Sequence, residues 1–596
     1  METSRKFRSK RHKSRKFYGN QHSKNFTENS KVTNKDNIAT TVSYTKLNGS
    51  MVKVVNNCCS KNITGNRIVD MELLAETFRI LLCPECSHNS VKLNQKQKLG
   101  IAFELELKCT MCGWFKLFWT SKKRSKTKSF DINSRMFYSI RRIGKGYQSL
   151  KLFLTLLNHP PPMTEKSYNN IASNYQVVIK KVAKNIMHQA VKEIRTLKKL
   201  DPIVRQQQSI LPHLDSQADI LCDAGVSVDG TWQRRGFSSN NGIVAAISID
   251  TGRVLDIEVM SKYCQACINA RIWKHSNVEK YASFIADHTC TNNHHGSAPS
   301  MELVGTEKIF NRSIELNKMR YTEFYGDGDS KSFLSIENVY DGTKVVKQEC
   351  IGHVQKRVGT RLRELKKREK GLRGKGKLTD AVIDKLQNYY GIAIRSNIGN
   401  LKGMQIAVMA ALFHVASSKE HSYHTFCPKE PGTWCQYHLD KLNNTQNYKP
   451  GPGLPMSVIK FVKPTFIALQ DENLLSKCLH GKTQNQNESF NATIWNRVPK
   501  DTFVKLVQLE IAAYDAVAHF NIGNLATLKI YDKMQMERGS YTELGCKDKN
   551  RSRLKNASRK NGEKYRMRRK FLRGVKKSKG SENKNNEGLS YGAGSF

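Results

Sequence analysis

The spacing of hydrophobic residues divides the first 200 residues into short extended stretches and longer helical ones. Apolar and polar residues alternate in 103–108 (FELELK) and 114–119 (WFKLFW), which is typical of strands. Residues 71–82 and 166–200 instead carry apolar positions at helical spacing. Three prolines at 160–162 end a short apolar helix, and Thr164 can cap the long helix that follows.

The pattern becomes extended after Asp223 and helical again in the second half. AGVSVDGTWQ predicts a strand, and residues 241–260 predict two strands joined by a tight turn at Asp250–Gly252. YTEFY, just before residue 327, is also strand-like. Residues 355–420 read as basic amphipathic helices, with a buried helix at 406–416. The pattern therefore predicts extended segments at 223–260 and 321–325, followed by basic helices.

The charge balance indicates a polyanionic partner. The 596 residues include 99 Lys and Arg against 51 Asp and Glu, a formal net charge of +48. Such an excess favours nucleic acid first and an anionic membrane surface second. No apolar run approaches the roughly 18–20 residues of a membrane span. The basic N-terminus has no apolar core, so it is either a nuclear-targeting or phosphate-binding segment or a solvated charge run. We expect a nuclear protein.

These patterns suggest five regions. Residues 1–65 and 540–596 are basic and polar, and we expect disordered tails there. The other predicted regions are a zinc ribbon at 70–120, a helical region at 130–215 and a core at 220–520. The helical region is either a DNA-binding unit or a connecting bundle.

The 15 cysteines favour zinc over disulfides, because several form Cys-x-x-Cys pairs in a chain without an export signal. A structural Zn²⁺ takes four Cys or His ligands. The strongest set has two such pairs separated by 22 residues: Cys83, Cys86, Cys109 and Cys112.

Two further sets have suitable spacing. The second is Cys264, Cys267, His288 and Cys290, with His294 and His295 as competing ligands and buried free thiols as the alternative. The third is His424, Cys427, Cys435 and His438, where prolines and a glycine provide the turn.

Three acidic positions follow strand-like or helical segments. Asp229 ends an apolar strand, Asp327 and Asp329 follow YTEFY, and Glu488 lies in a segment with helical potential. Clustered carboxylates bind Mg²⁺ or Mn²⁺, which phosphodiester cleavage uses in pairs. Singly, each acid is equally well explained as a turn, a cap or a surface residue.

Four long motifs resemble the Mutator-like transposases of animal genomes: VSVDGTWQRRG, YGDGDSKSF, QECIGHVQKRVGTRLREL and HGKTQNQNESFN. The resemblance covers about residues 70–520, and the zinc ribbon and the CQAC segment fit it. It implies an RNase H-like catalytic core of α/β (α+β) type with an all-α insertion, which residues 355–470 would supply. It also implies a triad of Asp229, Asp327 and Glu488, with Asp329 as the alternative middle acid.

The resemblance extends to residues around these acids. Cys350 and His353 match a Cys-x-x-His motif that either binds metal or supports the site, unless they are simply packed on a basic helix. Several basic residues near the motifs suit phosphate contacts. They are Arg234, Arg235, Lys356, Arg357, Arg361 and Arg363.

The leading interpretation is a DNA transposase that cleaves double-stranded DNA at terminal inverted repeats and joins the ends to target DNA. We expect it to use Mg²⁺ or Mn²⁺ for catalysis, Zn²⁺ for structure and a homo-oligomer to pair two ends. The alternative is a domesticated, catalytically inactive DNA-binding protein. A zinc-ribbon component of an RNA or transcription machine would leave the VDGTW, GDGD and QNQNESFN segments unexplained.

Overall fold

The computed structural model describes residues 46–47, 63–124, 129–199, 221–234, 238–326, 331–431, 433–565, 567–569 and 571–572. The chain separates into two units, and the features described below lie in the unit Val42–Leu554, except for the last residues of the final helix.

The first described module is a helix followed by a three-stranded antiparallel sheet. Helix α1 (Met71–Arg79) begins at Asp70, whose carboxylate accepts hydrogen bonds from the N–H groups of Glu72 and Leu73. Strands β1 (Val91–Leu99), β2 (Ala102–Cys109) and β3 (Phe115–Trp119) follow in spatial order β1-β2-β3. The strands predicted from the alternating residues are therefore present.

Three helices connect this module to the central sheet. They are α2 (Asp131–Arg142), α3 (Tyr147–Leu156) and α4 (Glu165–Lys199). The 35-residue helix α4 buries Tyr175, Ile179 and Ile186 on one side, at the spacing expected for an amphipathic helix.

The central sheet has five strands. They are β4 (Cys222–Trp232), β5 (Asn241–Ser248), β6 (Val254–Ser261), β7 (Met319–Gly326) and β8 (Val346–Glu349). The spatial order is β6-β5-β4-β7-β8. Strands β4, β5 and β6 pair antiparallel, whereas β7 runs parallel to β4 and β8 parallel to β7.

Both faces of this sheet are covered. On β5, Ile243, Ala245 and Ile247 face the core shared with α4, whereas Val244 and Ala246 face the opposite core. Six helices lie between β6 and β8: α5 (Gln265–Ala270), α6 (Trp273–Ser276), α7 (Val278–Asp287), α8 (Ser300–Asn311), α9 (Ser313–Asn317) and α10 (Lys331–Leu334). Helix α8 packs on the second face.

A helical insertion with its own hydrophobic core follows β8. Its helices are α11 (Ile351–Arg368), α12 (Asp380–Arg395), α13 (Leu401–Ala416), α14 (Gln436–Asn443), α15 (Met456–Leu469) and α16 (Glu472–Ser476). A 3₁₀ turn at Lys370–Leu372 lies between the first two. The core includes Leu362, Leu386 and Phe466, all fully buried.

The chain then returns to the sheet with α17 (Asn485–Trp495) and α18 (Leu506–Ile522), followed by a 3₁₀ turn at Gly523–Leu525, α19 (Ala526–Lys533) and α20 (Ser540–Asn561). Helix α18 packs along α4. Among the described helices, none is long and apolar enough to cross a membrane.

The structure differs from the predicted tails at two places. Residues 540–561 form a helix, because Cys546, Asn550 and Leu554 recur every four residues and are buried. Within the predicted N-terminal tail, Lys46 and Leu47 are buried. The rest of that tail up to residue 62, the tail after 572, and residues 200–220 of the predicted helical region lie outside the described residues.

Candidate active site and metal centres

The first predicted acid lies where the two halves of the central sheet meet. Asp229 is half-buried on β4 and is paired with Ala245 of the antiparallel neighbour β5. On the other side, Ser227 of β4 is in register with Tyr325 of the parallel strand β7, which ends one residue later. Asp229 therefore stands beside the C-terminal end of β7.

Helix α17, which carries the last predicted acid, is held on the same strand by two amide side chains. Asn491 donates a hydrogen bond from Nδ2 to Asp229 Oδ2 at 2.7 Å. Asn487 donates to the carbonyl oxygens of Ser227 and Ala245, at 3.1 and 3.4 Å. Glu488 is exposed and lies between these two amides, within one turn of Asn491. The helix is thus fixed to the strand that carries Asp229.

Both candidates for the middle acid follow β7. Asp327 and Asp329 lie outside the described residues, and so does Arg235. Asp327 follows Tyr325 by two residues in the sequence, as Asp229 follows Ser227, the register partner of Tyr325. The choice between the two aspartates stays a prediction.

Gly230, next to Asp229, is closely approached by the Glu302 side chain of helix α8. A Cβ atom at this position would lie 2.9 Å from Oε2 of Glu302. Any side chain there would displace the glutamate or the strand. This contact gives a physical reason for the glycine in VDGTW.

The Cys-x-x-His motif starts where β8 ends. Cys350 is buried directly before α11, and its Sγ accepts a hydrogen bond from the N–H of Gln484 at 3.4 Å. His353 is half-buried in the first turn of α11. The motif therefore adjoins the residue that precedes α17.

A second histidine in this region is held in its neutral form. Nε2 of His480 lies 3.1 Å from the Glu349 carbonyl and 2.9 Å from the Lys477 carbonyl, so this nitrogen carries the hydrogen. Its Nδ1 accepts a hydrogen bond from the N–H of Lys482. Burial lowers the pKa of His480, in agreement with a neutral ring.

The predicted phosphate-binding residues differ in accessibility. Arg357 donates to Glu349 at 2.7 Å, and Arg363 donates to Asp384 at 2.6 Å. Lys356, Arg361 and Arg234 are exposed. The two ion-paired arginines are thus already engaged within the chain, and the three exposed residues are the better candidates for DNA contacts.

The structure brings together the four cysteines of the ribbon. Cys83, Cys86, Cys109 and Cys112 have ligand atoms within 4.8 Å of one another. The Cys83 and Cys112 sulfurs are 3.5 Å apart, and those of Cys86 and Cys109 are 3.7 Å apart. A tetrahedral site with metal–sulfur bonds of about 2.3 Å has sulfur–sulfur edges of about 3.8 Å, so the set fits a zinc ion.

The second predicted set is also assembled. Cys264, Cys267, His288 and Cys290 lie within 4.8 Å of one another around α5–α7. The sulfurs of Cys264 and Cys267 each lie 3.2 Å from Nε2 of His288. The competing histidines lie outside the set. His294 contacts Ser297 and Ser300 instead, and His295 is exposed.

The third set requires a correction. Its members are His414, His424, Cys427 and Cys435, within 4.8 Å of one another. His438 is not among them, because its Nε2 lies 3.0 Å from the His424 carbonyl. Nδ1 of His414 lies 3.6 and 3.9 Å from the two sulfurs. His414 sits in the apolar helix α13, ten residues before His424, so sequence spacing did not reveal it.

The amides before and within α17 were also missed. Gln484, Asn487 and Asn491 follow a spacing of three and four residues, which places them on one side of a helix. That spacing could have indicated a shared polar side of the helix, but only the fold shows that this side contacts β4, β5 and β7.

The family comparison covers most of these motifs. A family model described as Mutator-like transposase matches residues 65–435, more than half of the 596-residue chain. The matched range includes Asp229, Cys350 and all three cysteine clusters, whereas Glu488 lies beyond its end. No curated protein and no solved structure matches the chain.

Proposed function

The chain belongs to the Mutator-like transposase family, and on that basis we propose that it cuts and rejoins DNA at transposon ends with a divalent-metal centre. The observation that carries the proposal is the hydrogen bond from Asn491 to Asp229, at 2.7 Å. It joins the helix of Glu488 to the strand of Asp229, although the two acids are 259 positions apart in the sequence.

We propose that the central sheet is an RNase H-like core. Three antiparallel strands continued by two parallel strands, with helices on both faces, support this assignment. The helical insertion separates β8 from α17, as expected for related cut-and-paste transposases.

The catalytic ion is Mg²⁺ or Mn²⁺ in this proposal. Asp229 and Glu488 offer carboxylate oxygens, the donors that these ions prefer, and Asp327 completes the set, with Asp329 as the alternative. When bound by these carboxylates, such ions would stabilise the attacking and leaving oxygens of a phosphodiester.

The chain's own residues provide position and charge. Asn491 orients the Asp229 carboxylate, and Glu488 is exposed to an approaching substrate. Water attacks the phosphodiester first, and the freed 3′ hydroxyl then attacks target DNA. Neither step requires a covalent bond to the protein.

The proposed partners, location, structural metal and oligomeric state also follow from membership of the family. The partners are double-stranded DNA with terminal inverted repeats and the target DNA, and the location is the nucleus. The three Cys/His clusters hold structural Zn²⁺. We also propose a homo-oligomer that pairs two ends, and the mass of the protein–DNA complex tests it, since one protomer holding both ends would contradict it.

The function is tested by strand cleavage of DNA that carries the element's own ends, in Mg²⁺ or Mn²⁺. Asp229→Ala, Asp327→Ala and Glu488→Ala should bind DNA but not cut it. Asp223→Ala is the matched control, because Asp223 lies on the same strand but pairs with Arg320 on the surface. If Asp329→Ala is inactive and Asp327→Ala active, the middle acid is reassigned. If folded wild type binds DNA and never cuts it, the protein is a DNA-binding descendant.

A further inference from the structure

Gln484 bridges the neighbouring parallel strands β4 and β7, within β4 and near the end of β7. Its side-chain Nε2 donates to the Val228 carbonyl at 2.9 Å and to the Tyr325 carbonyl at 3.3 Å. Val228 belongs to β4 and Tyr325 to β7. A glutamine amide has two hydrogens, one for each strand.

Both carbonyls lie one or two residues before a predicted acid. Val228 directly precedes Asp229, and Tyr325 is the second residue before Asp327 in the sequence. Gln484 is only 4% exposed, so its contacts with the strands are shielded from water. A single buried amide therefore ties together the strands that lead to the first two predicted acids.

The backbone of the same residue reaches the third parallel strand. The N–H of Gln484 donates to Cys350 Sγ at 3.4 Å, and Cys350 follows the last residue of β8. Residues 477–482, which precede Gln484, also contact the end of β8. The N–H of Glu349 donates to the Lys477 carbonyl at 3.0 Å, and the N–H of Ile351 to the Lys482 carbonyl at 3.4 Å.

Gln484 is also the last residue before α17, the helix of Glu488. One residue thus connects β4, the end of β7 and the residue after β8 to the start of that helix. The side-chain oxygen of Gln484, Oε1, is buried without a hydrogen-bond partner among the described residues. The orientation of the amide is therefore explained by the two hydrogen bonds that Nε2 donates.

We infer that Gln484 is a positioning residue, which sets the spacing of β4 and β7 next to Asp229 and thereby the metal-binding geometry of the acids there. Cys350 acts on the site through Gln484, as a hydrogen-bond acceptor for its N–H group, and not as a metal ligand. The inference rests on the proposed function only in taking Asp229 and Glu488 as metal-binding acids.

Mn²⁺ binding to the full-length protein, measured by electron paramagnetic resonance with the zinc sites loaded, tests the role of Gln484. Gln484→Glu keeps the length but turns a carboxylate toward two carbonyl oxygens. Gln484→Met removes the donor without adding charge. Because substitutions in the outer shell of metal sites cost roughly 10–100-fold in affinity, both variants should weaken Mn²⁺ binding by at least about tenfold.

Asn485→Asp is the matched control, because Asn485 is the exposed neighbour on the same helix and gains the same charge. It should bind Mn²⁺ within about twofold of wild type. Wild-type affinity in both folded Gln484 variants would overturn the inference, as would an equal loss in Asn485→Asp. If Gln484→Glu does not fold, the methionine variant decides.

The role of Cys350 is tested with Cys350→Ser and Cys350→Ala. A serine oxygen can accept the N–H of Gln484, so the serine variant should retain more Mn²⁺ affinity than the alanine variant. Equal losses in both would contradict the acceptor role. DNA cleavage is scored separately: Mn²⁺ binding that depends on Gln484 in a protein that never cuts DNA would uphold the inference and reject the proposed function.

Discussion

Asp515, on α18, lies at the centre of a buried charged cluster that joins three parts of the chain. Its carboxylate accepts hydrogen bonds from the Tyr138 hydroxyl at 2.7 Å and from Arg142 at 3.1 Å, both on α2. It also accepts one from Arg497, which follows α17 by two residues. His519, one turn along α18, lies 3.3 Å away. We predict that Asp515→Ala strongly destabilises the protein.

The magnitude follows from burial. Asp515 is 2% exposed and Arg497 is 6% exposed. Burial alone would raise the pKa of Asp515, but His519, Arg497 and Arg142 lower it well below its ordinary value. Removing the carboxylate leaves two guanidinium groups without their anion. Breaking a buried pair in this way costs about 3–5 kcal/mol in the free energy of unfolding.

Urea unfolding at pH 7 measures this cost, followed by circular dichroism. Asp532→Ala is the control, because its ion pair with Arg538 is on the surface, where such pairs contribute only about 0–1 kcal/mol. Asp515→Asn should lie between the two, since an amide keeps the size but not the charge. A loss below about 1 kcal/mol in Asp515→Ala would refute the reasoning.

Three further predictions concern metal, pH and DNA. By mass spectrometry, His414→Ala should lose one of three zinc ions and His438→Ala none; the reverse would contradict the third cluster. Burial lowers the pKa of His519 from 6.5 to about 3. Its contribution to stability is therefore complete above pH 6.5 and falls between pH 6.5 and 3, by at most about 1.4 kcal/mol per pH unit. In urea unfolding His519→Gln should flatten this dependence, and an unchanged slope would exclude it. Lys356→Ala and Arg361→Ala should each reduce the salt dependence of DNA binding by about 0.9 in log–log slope, and an unchanged slope would exclude a phosphate contact.

Local sequence patterns were sufficient to predict the strands and turns in which buried and exposed residues alternate regularly. Alternation predicted β2 and β3, and the Asp250–Gly252 turn lies between β5 and β6 as expected. These segments have one dominant periodicity, so neighbouring residues decide their structure. The family match supports the transposase motifs from the ribbon to the third cluster.

Contacts between distant segments were not predictable in the same way. In the sequence, His414 is simply part of an apolar helix. The residues that cluster with it come after that helix, so its role depends on how the following loop folds back. The amides of Gln484 and Asn487 find their carbonyl partners on strands more than 150 residues earlier. Helix α20 was missed, because its polar sequence buries only Cys546, Asn550 and Leu554.

The central claim is that Asp229 and Glu488 act in one catalytic site. It is tested most directly by cleavage of supercoiled DNA that carries the element's ends, with wild type, Asp229→Asn, Glu488→Gln and the surface control Asp223→Asn, in Mn²⁺. We predict that wild type and the control nick the DNA at the element ends. The two site variants should bind the same DNA with unchanged affinity and leave it intact. Cleavage at the wild-type rate by either folded site variant would contradict the account.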